Sequence, residues 1–187
     1  ALFPYTTLFR SLPAGHCLLV QRGQSVPAPR RWWDVSFADR ATGSARALGE
    51  ELLAHMREGV RSRMVADVPL GAFLSGGVDS SAVVALMAEA SKAAVRTCTI
   101  GFDEAGHDER AHAAAVAQRF ATDHHAQVVR PDDFALIDTL VHHFDEPFAD
   151  GSALATYQVA ALARARVTVA LSGDGADEVF AGYRRYR

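Results

Sequence analysis

Lysine is almost absent from this chain. Of its 19 basic residues, all but Lys92 are arginine. Any chemistry that needs a lysine ammonium therefore has one candidate. Cysteine is nearly as scarce, with only Cys17 and Cys98, which excludes a disulfide scaffold and a multi-cysteine zinc site. No apolar run reaches the roughly 18 residues that a spanning helix needs, so no membrane-spanning helix is expected. Net charge is small, at −3, and gives no basic field for nucleic acid. Internal repeats and low-complexity tracts are also missing. What remains is 187 residues, 49% hydrophobic and 22% charged. That suffices for one domain with a real core and a remnant of a second, and it argues against disorder. The excess of Arg and Ala reads as the mark of a GC-rich genome.

The two ends read differently from the middle. Residues 2–11, LFPYTTLFRS, follow neither a helical nor a strand period. The string is similar to the translation of a short-read sequencing adapter. A signal peptide does not fit, because a basic start, an apolar core and a small-residue cleavage site are lacking. Residues 1–11 are therefore read as an artefact. At the other end the chain stops at YRRYR, just past a dense motif, and the whole reads as an interrupted gene product. Residues 12–46 are irregular, with a short apolar run at 18–20, Pro27, Pro29 and the pair Trp32-Trp33.

From residue 47 the pattern becomes regular. Leu48, Leu52, Met56 and Val60 recur every four residues and predict an amphipathic helix over 47–64. Strands are expected at 68–74, 95–102, 126–130 and 167–171. Helices are expected at 80–91, 108–121 with Asp108 as N-cap, 131–144, 152–165 and 174–182. Strands alternating with helices of this length predict an α/β fold: a parallel sheet with helices on both faces. Cys98, in mid-strand, reads as a small buried residue. The pairs His124-His125 and His142-His143 read as packing or solvated residues rather than metal ligands, since adjacent side chains diverge on a strand or a helix.

Ser75-Gly76-Gly77-Val78-Asp79-Ser80-Ser81 sits between an expected strand and an expected helix. An open α/β sheet presents its ligands at that place. Gly76 and Gly77 allow a tight turn and a close backbone approach to an anion. Ser75, Ser80 and Ser81 add hydroxyls, and the helix N-terminus adds unpaired N–H groups and a positive dipole end. Asp79 would repel a phosphate unless Mg²⁺ bridges the two. The plainer reading is a capped helix after a glycine turn. Six fixed residues at about 7% usage recur by chance about once in ten million positions, however, so the pattern is specific. It is neither a Walker A loop nor a dinucleotide fingerprint. Ser172-Gly173-Asp174-Gly175-Ala176-Asp177-Glu178 again follows a strand and opens a helix. Alone it would read as acids in a first helical turn, worth a few tenths to about 1 kcal/mol. A second loop on the same sheet edge makes it a candidate site.

SGGVDSS resembles the PP-loop of ATP pyrophosphatases, which cleave ATP between its α and β phosphates. The longer string DVPLGAFLSGGVDSSAVVALMA, with SGDGADEVFAGY, resembles the synthetase domain of glutamine-hydrolysing asparagine synthetases. The likeness covers residues 12–187. ADVPLGAFLSGGVDSS and DEPFAD look most like the branch associated with exosortase and exopolysaccharide loci. The resemblance implies an incomplete PP-loop (adenine nucleotide alpha hydrolase-like) fold, with residues 12–46 as a glutaminase-domain tail and linker and 47–187 as the N-terminal part of the synthetase domain. It implies ATP and Mg²⁺ as cofactors. Leu74 and Ile100 would hold the nucleotide by backbone contacts. Ser75, Gly76, Gly77, Asp79, Ser80 and Ser81 would form the PP-loop, Ser172 and Gly173 would close on the nucleotide, and Asp79 and Asp177 would ligate Mg²⁺. Asp174, where many relatives carry Glu, would be catalytic. The segment 145–152 would lie near the acceptor, although a turn with an N-cap at Ser152 explains it equally. Asp108 would lie near the nucleotide, in an acidic loop with Asp103, Glu104 and Glu109.

The implied reaction adenylates a carboxylate, aspartate or a related acceptor, and converts it to an amide with ammonia from glutamine. The implied location is cytoplasmic, and a homodimer is left open for the full-length protein. The nucleophilic N-terminal cysteine of the family's glutaminase domain has no counterpart here. The lysine that the family carries beyond SGDGADE is also missing, and Lys92 lies about 16 Å of helical rise from the PP-loop. The chain is thus expected to bind ATP–Mg²⁺ weakly without turning over. Other readings are a non-catalytic ATP-binding fragment and another adenylating enzyme such as a β-lactam synthetase relative.

Overall fold

A computed structural model describes residues 11–36, 38, 40–102, 108–129, 136–144 and 150–186. The chain divides into two units, 1–48 and 49–187. In the first, β1 (His16–Cys17) pairs antiparallel with β2 (Arg30–Arg31). The apolar run at 18–20 forms no strand. The pairing partner of Arg30–Arg31 lies just before it, and the N–H groups of Trp32 and Trp33 both reach the Gly15 carbonyl, at 2.9 and 3.2 Å. No described residue of this unit is buried. Helix α1 (Ala45–Arg63) begins here. The Ser44 hydroxyl accepts from the Ala47 N–H at 3.2 Å, satisfying one of the four N–H groups that a helix start leaves open.

The second unit carries the sheet. Strands β3 (Leu70–Phe73), β4 (Arg96–Phe102), β5 (Asp123–Val129) and β6 (Val169–Leu171) run parallel in the order β5-β4-β3-β6. Between them come α2 (Val78–Ala90), α3 (Arg110–Arg119), α4 (Ile137–Phe144) and α5 (Ser152–Arg164). The five-residue α6 (Ala176–Phe180) and a single 3-10 turn at Arg184–Tyr186 follow β6.

Right-handed crossovers explain this layering. The chain steps from β3 to β4 to β5 with α2 and α3 on one face. To return to the far side of β3 with the same hand it must cross on the other face, where α5 lies. Two cores result. One gathers Ala72 and Leu74 with Val60, Val84, Met87, Ala113 and Ala117. The other sets Cys98 and Phe73 against Val159 and Ala163 of α5. Burying a side chain such as Leu74, Val84 or Met87 stabilises the fold by about 1.5–3 kcal/mol each.

Several boundaries differ from those the sequence suggests. β5 begins three residues earlier than expected, because the Asp123 N–H bonds the Val95 carbonyl at 2.9 Å. The N-cap of α3 is Glu109, not Asp108. The Asp108 carboxylate nevertheless accepts the Arg110 backbone N–H at 3.1 Å, and it also takes the Arg110 Nε and Nη2 at 2.8 Å each. At α5 the cap is Gly151 rather than Ser152, and the Asp150 carboxylate accepts the Ser152 N–H at 2.9 Å. Asp103, Glu104, residues 130–135 and most of the 145–152 segment lie outside the described residues.

Candidate functional site

The strand order reverses at β3, and ligands of open α/β sheets bind in the crevice this reversal leaves. Both motif loops open there, one after β3 and one after β6. They touch. A methyl group built on Gly173 would lie 2.8 Å from the backbone nitrogen of Ser80 and 3.0 Å from the Asp79 carbonyl carbon. Only a residue without Cβ lets the second loop settle against the α2 N-terminus. Gly76 is constrained from the other side. Its φ is +83°, and a Cβ there would stand 2.5 Å from the Ala113 nitrogen at the start of α3. The β3–α2 loop is therefore wedged between α3 and the second loop.

A cavity of about 680 Å³ opens at this junction, within the size range of small-ligand pockets. Of the residues singled out by sequence, Leu74, Ser75, Asp79, Ser80, Ile100, Ser172, Gly173, Asp174 and Asp177 line it. Gly76, Gly77 and Ser81 do not. They shape the loop behind it. The Asp108 carboxylate also stays off the lining, held by Arg110 and thereby kept below the usual carboxylate range. Lys92 lies beyond the far end of α2.

The loop hydroxyls are turned inward. Ser75 Oγ and Ser80 Oγ lie 2.8 Å apart, the Gly77 N–H donates to Ser75 Oγ at 3.2 Å, and the Ser80 hydroxyl donates to the Gly77 carbonyl at 3.4 Å. These serines stiffen the turn rather than offer free donors. Asp79 and Ser80, in the first turn of α2, line the cavity, and that helix start has no side-chain cap, so its dipole favours an anion there. Behind them, the Ser81 Oγ is buried with no hydrogen-bond partner among the described residues.

The floor is set by strand alternation. Leu74 donates its N–H to the Cys98 carbonyl at 2.9 Å, and its own carbonyl accepts the Thr99 hydroxyl. Cys98 therefore directs its backbone groups toward β3, and Ile100, two residues on, does the same where β3 has already ended. Ile100 thus turns a backbone N–H and carbonyl to the open crevice, whereas the Leu74 N–H is used in the sheet. Cys98 is buried, which pushes its thiol pKa up and leaves it a wall residue.

Five carboxylates line the cavity: Asp79, Glu109, Asp174, Asp177 and Glu178. No Lys, Arg or His stands among the described lining residues. The Ser172 hydroxyl donates to the Asp174 carboxylate at 3.0 Å. Among the described residues no three His, Cys, Asp or Glu side chains converge as a metal cluster. Asp79 and Asp177 lining one cavity suit a cation completed by phosphate oxygens and water, the usual way Mg²⁺ is held. A polyphosphate alone would meet only like charge. The donor set therefore fits Mg²⁺ with a nucleotide, not a protein-only cage.

Tyr183 and Glu178 also line the cavity, hydrogen-bonded at 2.6 Å. Glu178 closes the acidic motif that marked this loop as a candidate site, though it was not given a role, and the one signal for Tyr183 was its position at the end of the SGDGADEVFAGY string.

Comparison with known proteins agrees with these motifs. The Asparagine synthase family model matches residues 51–187. A putative asparagine synthetase [glutamine-hydrolyzing] 2 of Methanocaldococcus jannaschii is 46% identical over 140 residues, 74% of this chain and 27% of that protein. A putative asparagine synthetase [glutamine-hydrolyzing] of Mycobacterium bovis is 38% identical over 181 residues, 95% of this chain and 28% of that protein. The chain thus spans little more than a quarter of the length of these relatives. Among solved structures, the NH3-dependent NAD synthetase of Campylobacter jejuni is similar with a TM-score of 0.47 and 13% identity, over 72% of this chain and 60% of that one.

Proposed function

The chain belongs to the asparagine synthase family, and on that premise we propose that its second unit is the nucleotide-binding part of an ATP-dependent, AMP-forming glutamine amidotransferase. One observation carries the reading: two glycine loops in contact, at the switch point of a parallel sheet, on one carboxylate-lined cavity. The reaction activates a carboxylate, that of aspartate or a related acceptor. Its oxygen attacks the α-phosphorus of ATP, pyrophosphate leaves, and an acyl-adenylate forms. Ammonia released from glutamine then attacks the acyl carbon, a proton is lost, and AMP departs. Such a reaction would run in the cytoplasm, where ATP is abundant.

Each residue has a part in this reading. The opening amides of α2 take the phosphates, and Gly76 and Gly173 let the backbone close on them. Ile100 offers its backbone N–H and carbonyl to the adenine edge, with Leu74 beneath. Asp79 and Asp177 hold Mg²⁺, which when bound neutralises the phosphates and the departing pyrophosphate. Asp174, anchored by Ser172, stands beside the reacting carboxylate.

A second reading has an observation of its own. Adenylation gains from a cationic side chain at the reacting phosphate, and the described lining has none. The chain by itself is then an ATP–Mg²⁺ binder without turnover. Thermal unfolding tests the common ground. ATP with MgCl₂ at about 100 Kd should raise stability by about 2.7 kcal/mol, and Asp79→Ala should abolish the rise. A wild-type transition unmoved by ATP and MgCl₂ refutes the reading. Release of AMP and pyrophosphate on addition of aspartate would decide for catalysis over mere binding.

A further inference from the structure

We propose that Tyr183 is a positioning residue for the metal ligand Asp177, acting through a clasp that closes around α6. The inference rests on the ATP–Mg²⁺ reading above. Helix α6 has only five residues, too few to persist on intrinsic propensity. Left-handed residues bound it at both ends, Gly175 at φ +94° and Ala181 at φ +54°. The second of these turns the chain back on itself. The Gly182 N–H then donates to the Asp177 carbonyl at 3.0 Å. The Gly182 Cα packs so closely on the Asp177 carboxylate that a side chain there would overlap its Oδ1. One residue on, the Tyr183 hydroxyl donates to Glu178 Oε1 at 2.6 Å, and Tyr186 of the 3-10 turn sets its ring edge-on to Tyr183, with centroids 5.6 Å apart.

The result is a closed loop. Asp177 and Glu178 are adjacent on α6, and the returning segment grips both, one by backbone contact and one by a phenol–carboxylate bond. That bond is short and charge-assisted, a strong fastening of the segment to α6. Without it the return segment is held less firmly to α6, and the wall that Gly182 sets against the Asp177 carboxylate loosens. Tyr183 need not touch the metal or the nucleotide to act.

The test measures ATP binding to the 187-residue chain by calorimetry, once with MgCl₂ and once with EDTA. Tyr183→Phe removes the hydroxyl and keeps the ring against Tyr186. We expect ATP affinity in EDTA to stay within twofold of wild type and affinity in MgCl₂ to fall about tenfold, the low end of what loss of a ligand's supporting contact costs. Glu178→Gln, which still accepts the phenol proton, should keep most of the Mg²⁺ gain, and Glu178→Ala should lose it as Tyr183→Phe does. Unchanged binding in MgCl₂ for Tyr183→Phe overturns the proposal. So does an equal loss with and without Mg²⁺, which would mark a structural role only. If wild type itself gains no affinity from MgCl₂, the metal reading of Asp79 and Asp177 fails, and the clasp proposal falls with it.

Discussion

Replacing Gly173 by Ala adds one methyl group where the two loops meet. That methyl would sit 2.8 Å from the Ser80 nitrogen and 3.0 Å from both the carbonyl carbon and the Cβ of Asp79. Ordinary contact begins near 3.4 Å, so the loops must part by several tenths of an ångström. The neighbours in the way are backbone and a Cβ, not the end of a flexible side chain, so the strain has no cheap outlet. Overpacking of this kind costs about 1–3 kcal/mol. Charged to nucleotide binding, that is roughly a 5- to 150-fold rise in Kd. The assay is calorimetric titration of ATP in excess MgCl₂, with urea unfolding alongside to verify that the variant folds. Gly151→Ala is the control: its φ is −63° and no atom lies within 4 Å of the added methyl, so its Kd should match wild type. If Gly173→Ala binds within twofold of wild type, the loops do not form one clamp, and the reasoning from their contact is wrong.

Two further outcomes follow from the same geometry. Gly76→Ala combines a left-handed backbone, about 1–2 kcal/mol for an L-residue, with a Cβ 2.5 Å from the Ala113 nitrogen, about 1–3 kcal/mol of overpacking. Urea unfolding should show about 2–5 kcal/mol lost, and a loss below about 0.5 kcal/mol would contradict the close packing of the β3–α2 loop on α3. His124 predicts a pH dependence. Its Nδ1 lies 2.9 Å from Thr97 Oγ1, its Nε2 is buried without a partner among the described residues, and burial, with His125 beside it, holds its pKa below the usual 6.5. Between the depressed folded value and 6.5 the unfolded chain binds the extra proton, so stability falls as pH drops below about 6.5. His124→Gln should flatten that slope between pH 7.5 and 5.5, and an unchanged slope would remove His124 as its source.

Much of the fold was legible in the sequence, because its signals are local. The fourfold spacing of Leu48, Leu52, Met56 and Val60, and the apolar strands between helix-length segments, report a parallel α/β sheet through side-chain period alone. Glycine-rich turns after strands mark loops at the C-terminal sheet edge. The misreadings share a cause. Asp108 and Ser152 look like N-caps by residue type, but capping is a competition. The first shares its carboxylate between the Arg110 side chain and the Arg110 backbone N–H, one residue ahead of the helix cap at Glu109, and the second donates its N–H to Asp150. Beside these, Ser75 and Ser80 line the cavity as their motif suggests, and the pairing of their hydroxyls at 2.8 Å is a contact that the sequence does not show.

The sequence by itself determined the chemistry on offer: two glycine loops, a set of carboxylates, one lysine out of reach and the family these describe. It could not determine that the loops share a cavity. Residues 75 and 172 are nearly a hundred positions apart, and only the order β5-β4-β3-β6 makes their strands neighbours. That order follows from crossover handedness and from which helices cover which face, a property of the whole sheet rather than of any local run. The partners of Tyr183, the orientation of Ile100 and the contact of Gly173 with Ser80 all depend on it, because short-range periodicity says which way a side chain faces on its own element but not what another element brings to meet it.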